Sequence, residues 1–221
     1  MEVQSVDETG MVRYRYGGWG TGSDALDLAI ALYSSENSIF VLDQGRSSIV
    51  RLDLQLNRVS NTQLPLDIEP IGFIRDSHRQ YWIIVEGRPG LHVFDDHGAL
   101  LTVIGDQTSG DDGILAPLLI ASYGGRLAVW DHHRQSVCVL SEAGVVERWL
   151  QIDEAANPID LAFAGDTVYI LTNAGIIAVA LETGERRFQK MDLPRIALFQ
   201  MNGQLFTVDS EGTISAFTAK L

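Results

Sequence analysis

Three kinds of residue or segment are scarce in this chain, and each scarcity closes off a class of function. Among 221 residues there is a single cysteine, Cys138, so neither an intrachain disulfide nor a cysteine-based zinc site can form. Lysine occurs only at Lys190 and Lys220, and 29 acidic residues face 16 basic ones for a formal net charge of −13. Nucleic acid is bound by cations that displace counterions from phosphates, and anionic membrane surfaces ask for the same sign of charge. Both partners are disfavoured. No apolar run is long enough to span a bilayer, and the N-terminus shows no apolar leader region. Removal of a leader would imply a periplasmic or extracellular protein; otherwise the chain is cytoplasmic.

Helical periodicity is missing too. Apolar residues alternate or run in short blocks instead of recurring at three-to-four spacing. "GGWGTG" (17–22) leads into no helix, so it is no phosphate cradle. No Gly-x-Ser-x-Gly elbow is present for nucleophilic catalysis.

What the chain does contain is a repeat. "VLDQGRSSIVRL" (41–52) reads as strand, polar turn, strand, and comes back as "IVEGRPGLHVF", "VWDHHRQSVCVL", "ILTNAGIIAVA" and "TVDSEGTISAF". The polar residues ending the first strand of each piece are Asp43, Glu86, Asp131, Asn173 and Asp209. A recurrence of about 40–45 residues with several short strands per unit marks propeller blades. Ahead of each hairpin lies an apolar strand, in four cases opening on proline ("PIGFI", "PLLIAS", "PIDLAF", "PRIALF"), a residue suited to the first position of a strand. Behind it come acidic, glycine-bearing turns ("DDHG", "SEAG", "LETG") and a fourth strand.

These features predict an all-β, five-bladed β-propeller of four-stranded antiparallel blades in one domain, 1–221. The blades fall at about 25–60, 66–105, 116–151, 157–190 and 193–219. Residues 11–17 complete the last blade by pairing with the C-terminal strands and close the ring; residues 2–8 are then a surplus strand.

"YGGWGTGSDALDLAIALYSSENSIFVLDQGRSSIVRLDL" (16–54) resembles one full NHL repeat: glycine-rich start, apolar first strand, "IFVLD", an arginine in the turn. "IGDQTSGDDGILAPLLIASYGGRLAVWDHHRQSVCVL" (104–140) is a second good match, whereas the units at 158–189 and 194–219 are shorter and lack the turn arginine. A rigid closed ring that presents a charged loop face is suited to a scaffold that binds a protein, peptide or small ligand.

In a propeller the crossovers between blades and the second-to-third-strand turns share one face. Here the crossovers carry Asp24, Asp67, Glu69, Asp106, Asp111, Asp112, Asp153, Glu154 and Asp192, and the turns bring Arg46, Arg88 and Arg134. Asp27 and Asp160 stand in the look-alike segments "ALDLA" and "PIDLA", and Arg195 lies on a first strand. Asp27, Glu69, Asp160, Arg195, Arg46, Arg88 and Arg134 are therefore the candidate binding residues, suited to a basic protein segment, a cation or a sugar. Competing with this is plain turn chemistry, in which aspartates cap backbone and pair with arginine.

No cofactor and no metal ligand set is expected, although a divalent cation is compatible with the acidic loops. "GDQTSGDDG" (105–113) lacks EF-hand spacing, and the adjacent His132 and His133 point to opposite faces of an extended backbone. The alternative to a non-enzymatic scaffold is a propeller hydrolase, a glycosidase or metal-dependent lactonase, with Asp27, Asp160 and Glu69 as channel carboxylates. The fold alone does not choose between them.

Overall fold

Alternating and continuous apolar runs become short antiparallel strands, and a turn of 3-10 helix at Gln44–Arg46 is the one helical element among the described residues. The computed structural model describes residues 1–7, 9–18, 20, 22–35, 37–107, 113–152, 157–191, 195–201 and 204–217. They group into two compact units, Met1–Ile104 and Gly105–Leu221.

The first unit opens with a hairpin of β1 (Glu2–Val6) and β2 (Val12–Gly17). The first blade follows: β3 (Ala29–Ser35), β4 (Ser38–Asp43), β5 (Ser48–Leu52) and β6 (Arg58–Gln63). The second blade is β7 (Pro70–Arg75), β8 (Tyr81–Val85), β9 (Leu91–Phe94) and β10 (Leu100–Ile104). In the second unit, the third blade is β11 (Pro117–Tyr123), β12 (Arg126–Asp131), β13 (Ser136–Ser141) and β14 (Val146–Gln151). The fourth is β15 (Pro158–Ala164), β16 (Thr167–Thr172), β17 (Gly175–Ala180) and β18 (Arg186–Lys190). The fifth has three described strands, β19 (Arg195–Met201), β20 (Gln204–Asp209) and β21 (Ile214–Phe217). The fold is all-β, a five-bladed β-propeller, with strands in sequence order across each blade.

Burial explains the sequence pattern. The middle strands β8, β9 and β16 are buried at every residue, so they read as largely apolar runs. Outer strands need no such cover, and β18 (RRFQK) is exposed throughout. In the first blade, alternate residues serve two cores. Phe40, Leu42 and Ile49 pack on Phe73, Tyr81 and Ile83 of the second blade, while Val41, Val50 and Leu52 pack under Tyr16 and Leu26. Tyr33, Phe40, Phe73 and Tyr81 meet at tilted angles, with the Arg75 guanidinium 4.9 Å from the Phe40 ring centre. In the second unit Trp130, Val137 and Val139 pack against Leu161, Phe163 and Ile170. The other face of the fourth blade uses Ala162, Leu171 and Ile176 against Leu198, Leu205 and Phe217. Each large side chain so removed from water contributes on the order of 1.5–3 kcal/mol.

Every first strand carries a β-bulge one residue after it begins, at Ile30, Ile71, Leu118, Ile159 and Ile196. This shared irregularity fixes the true repeat register. The residues facing the first position of these strands are Asp43, Val85, Asp131, Thr172 and Asp209. Glu86 and Asn173, expected to match the aspartates, each sit one residue too late. Their second strands end on a buried Val85 and Thr172, so the first conspicuously polar residue already belongs to the turn.

Of residues 2–8, expected as a surplus strand, 2–6 form the partner of β2 through a turn in which the Asp7 side chain accepts amide hydrogen bonds from Thr9 and Met11. Closing so short a loop costs little entropy. The pairing that would make residues 11–17 the fourth strand of the last blade is not among the strand pairings of the described residues.

Candidate functional site

The turn at the end of β4 shows what the recurrent sequence is for. Asp43 is fully buried, and its carboxylate accepts the backbone N–H groups of Asp27 (3.1 Å) and Leu28 (2.8 Å), the residues that lead into β3. Asp131 repeats this in the third blade, accepting from Leu115 at 2.6 Å and Ala116 at 3.4 Å, with Arg134 N–H at 3.0 Å on its other oxygen. A buried carboxylate is tolerated only where such donors replace its hydration. These two aspartates thus fasten each crossover to the blade it introduces.

The turn arginines act on the same crossovers. Arg46 donates to the carbonyls of Gly22 (3.3 Å) and Gly20 (3.4 Å). Arg88 donates to the Asp67 carbonyl (2.8 Å), and Arg134 to that of Gly113 (3.0 Å) while lying 4.7 Å over the Trp149 ring. Three of the seven candidate residues therefore have their side chains engaged in holding loops.

The candidate carboxylates differ among themselves. Asp27 and Glu69 are exposed. Asp27 lies against Gly45, where any Cβ would meet its Oδ2 at 2.6 Å. Asp160 is half-buried and accepts the N–H groups of Leu161 and of Leu198, both at 2.8 Å, tying the fourth blade to the fifth. Burial raises its pKa above the usual aspartate value, against the pull of those two donors. The equivalence of Asp27 and Asp160 does not hold: Ala29 matches Pro158 in register, so Asp27 precedes its strand while Asp160 lies inside one. Arg195 faces Asp209 across the β19–β20 pair, with 3.4 Å between Nη1 and Oδ2, and both are largely buried.

Asp24 and Asp67 stay 70% and 77% exposed while pairing loosely with Arg58 (3.6 Å) and Arg88 (3.5 Å). Asp111, Asp112, Asp153, Glu154 and Asp192 lie outside the described residues, as does most of the 105–113 loop. Among the described residues no group of three or more His, Cys, Asp or Glu is arranged to hold a metal ion. His97 pairs with Asp96 at 3.5 Å, and the Gln135 side chain donates to the His132 carbonyl. Cys138 is fully buried.

Sequence reasoning missed a polar cleft of about 620 Å³ in the first unit, between the β1–β2 hairpin and the first blade. Arg15, Tyr16 and Gly17 form one wall, Ser23 and Asp24 a second, and the β5–β6 turn at 56–58 the third. Arg58 Nη1 donates to the Ser23 carbonyl at 2.6 Å, and Arg15 pairs with Glu2 at 2.7 Å. Burial raises the pKa of Tyr16 above the ordinary tyrosine value, with the Arg58 charge opposing the shift and the Asp24 charge adding to it. The one available signal was the turn "DLQLN" (53–57), which places a leucine where four similar turns of the chain have glycine and one has Arg79.

No family model matches the chain, and no curated protein matches it in sequence. Solved structures do resemble it. A nidogen/laminin complex superposes with a TM-score of 0.72 at 16% identity, over 98% of this chain and 84% of the other. BBS1N in complex with ARL6DN gives 0.64 at 18% identity, over 100% and 73%. Virginiamycin B lyase from Staphylococcus aureus, an inactive H270A form with quinupristin, gives 0.63 at 15% identity, over 100% and 78%. At such identities the likeness establishes the propeller fold.

Proposed function

We propose that the chain is an NHL-like propeller acting as a non-enzymatic scaffold, which takes a protein or peptide segment of basic character on its crossover-and-turn face. The observation that carries this reading is the division of labour in the loops of the first unit. Arg46 and Arg88 brace the crossovers through backbone carbonyls, while Asp24, Asp27, Asp67 and Glu69 stay exposed. Loops already braced lose little freedom when a partner docks, and exposed carboxylates on a chain of net charge −13 attract cations from a distance. Two of the structural neighbours, the nidogen and BBS1N complexes, are bound to protein partners, which supports the same kind of use here. No cofactor enters into this reading.

A lysine-rich peptide such as decalysine tests it. The wild-type chain should bind the peptide with strong salt dependence, and Asp27→Lys combined with Glu69→Lys should weaken binding about tenfold with little change in melting temperature. Unchanged affinity in the double variant counts against the acidic face. The hydrolase alternative draws on the raised pKa of Asp160 and on the lyase neighbours. Turnover of a glycoside or lactone, lost in Asp160→Asn, would favour it.

A further inference from the structure

We propose that the cleft between the β1–β2 hairpin and the first blade is a binding site for a neutral, hydroxyl-rich small molecule of mono- or disaccharide size. This inference shares Asp24 with the loop-face reading but not Asp27 or Glu69, the residues on which that reading is tested, so the two can fail separately.

Size comes first. A volume of about 620 Å³ lies in the middle of the range occupied by small-ligand sites. Its walls are drawn from two regions well apart in sequence, 15–24 and 56–58, so its shape depends on how they pack and is not that of one loop.

Charge comes second. Each guanidinium at the cleft has a carboxylate beside it, Arg15 with Glu2 and Arg58 with Asp24. The charges cancel locally. A free anion would find no unmatched cation and would meet the field of a chain carrying −13; a cation would compete with the arginines for the same carboxylates. A polyol meets neither obstacle. Its hydroxyls both donate and accept, and the lining offers both: Arg58 and Arg15 donate, Asp24 accepts, and Ser23, Asn57 and Tyr16 do either.

Backbone strain comes third. One turn design recurs in the chain: an aspartate or serine opens it, and its fourth residue takes positive φ. In four such turns that residue is glycine, Gly10, Gly98, Gly144 and Gly212. In the β5–β6 turn it is Leu56, at φ +61°, although Asp53 caps that turn as usual through the N–H groups of Gln55 and Asn57. A left-handed leucine costs about 1–2 kcal/mol. Its side chain, 3% exposed, packs with Tyr16 and Leu26 as an apolar floor below the polar rim. Arg79 holds the same place at φ +69° in the Asp76 turn; of these two strained turns, the one at Leu56 sends its side chain under the cleft, and strain next to a cavity is a recognised companion of ligand sites.

The test is a titration of the 15N-labelled full chain with glucose, N-acetylglucosamine and cellobiose, with glucuronate and glucosamine as charged controls. At least one neutral sugar should produce saturable amide shifts confined to residues 15–17, 23–24 and 56–58, and should bind more tightly than either control. Asp24→Ala, at a largely exposed position, and Arg58→Lys should each weaken that affinity about tenfold while the melting temperature of Asp24→Ala is unchanged. The proposal is overturned if no neutral sugar produces saturable shifts up to about 50 mM, if the shifts map elsewhere, if a charged control binds more tightly, or if both variants keep full affinity.

Discussion

In the first and third blades a fully buried aspartate ends the second strand and accepts amide protons from the incoming crossover. In the fourth blade the equivalent position holds Thr172, whose hydroxyl donates to the Gly175 carbonyl and accepts from Ala174 and Gly175 within its own turn. The first arrangement concentrates a charge on another segment of chain; the second shapes a hairpin. The surrounding turns follow suit. Asp43 and Asp131 are each followed three residues on by a bracing arginine and four residues on by a left-handed residue, Ser47 or Gln135. The fourth blade has no arginine in that turn. Similar strands thus end in two kinds of turn, one tied to the incoming crossover and one closed on itself.

The largest expected effect tests this contrast directly. Asp131→Ala leaves the Leu115, Ala116 and Arg134 amides without their buried acceptor and should lower unfolding free energy by about 3 kcal/mol or more. Thr172→Val, which removes a neutral hydroxyl from a local turn, should cost about 1 kcal/mol. Urea denaturation of the two variants measures the difference, and equal losses would dissolve the distinction between the blades. A smaller effect is expected at Arg134, where alanine removes the bond to the Gly113 carbonyl and the contact with Trp149 for about 1–2 kcal/mol. Arg134→Lys should recover only part of that, because an ammonium cannot reproduce the planar fork.

The finest comparison is between carboxylates and is read by pH. In the Asp95 and Asp209 turns, backbone N–H donors hold the pKa below the ordinary value of 3.8. Their stabilisation is complete above that value and is lost as pH falls through the lower folded pKa. Asp160 has the opposite sign. Its folded pKa is raised by burial, so its contribution is full below 3.8 and declines as pH rises through the folded value. Carboxyl-carbon NMR should place the Asp160 midpoint above those of Asp95 and Asp209. Asp160→Asn should flatten the stability curve above pH 3.8, and Asp95→Asn should flatten it below.

The blades were legible because burial on both faces of a strand writes itself directly into continuous apolar runs, as in β8 and β16. Register was less so. Glu86 and Asn173 look like partners of Asp43, but a strand can end on a buried valine or threonine as readily as on a buried aspartate. The shared letters of "ALDLA" and "PIDLA" misled for a related reason: Pro158 marks the start of its strand, but nothing in "ALDLA" marks that its strand begins only at Ala29. The arginines were found by their recurrence, yet recurrence could not show that they point inward at carbonyls. The cleft was not legible, since residues 15–17, 23–24 and 56–58 become neighbours only when the hairpin folds onto the first blade. Leu56, at a place where most such turns have glycine, is the one residue that hinted at it.

The bulge shared by all five first strands has a consequence for how such a chain can change length. Side chains along a strand alternate in phase, and one extra residue inverts that phase. Since each blade makes the inversion at the same place, its alternation is counted afresh from there. A segment running from one bulge to the next is therefore a cassette in step with itself, and copying or excising it would leave the facing of every later strand unchanged.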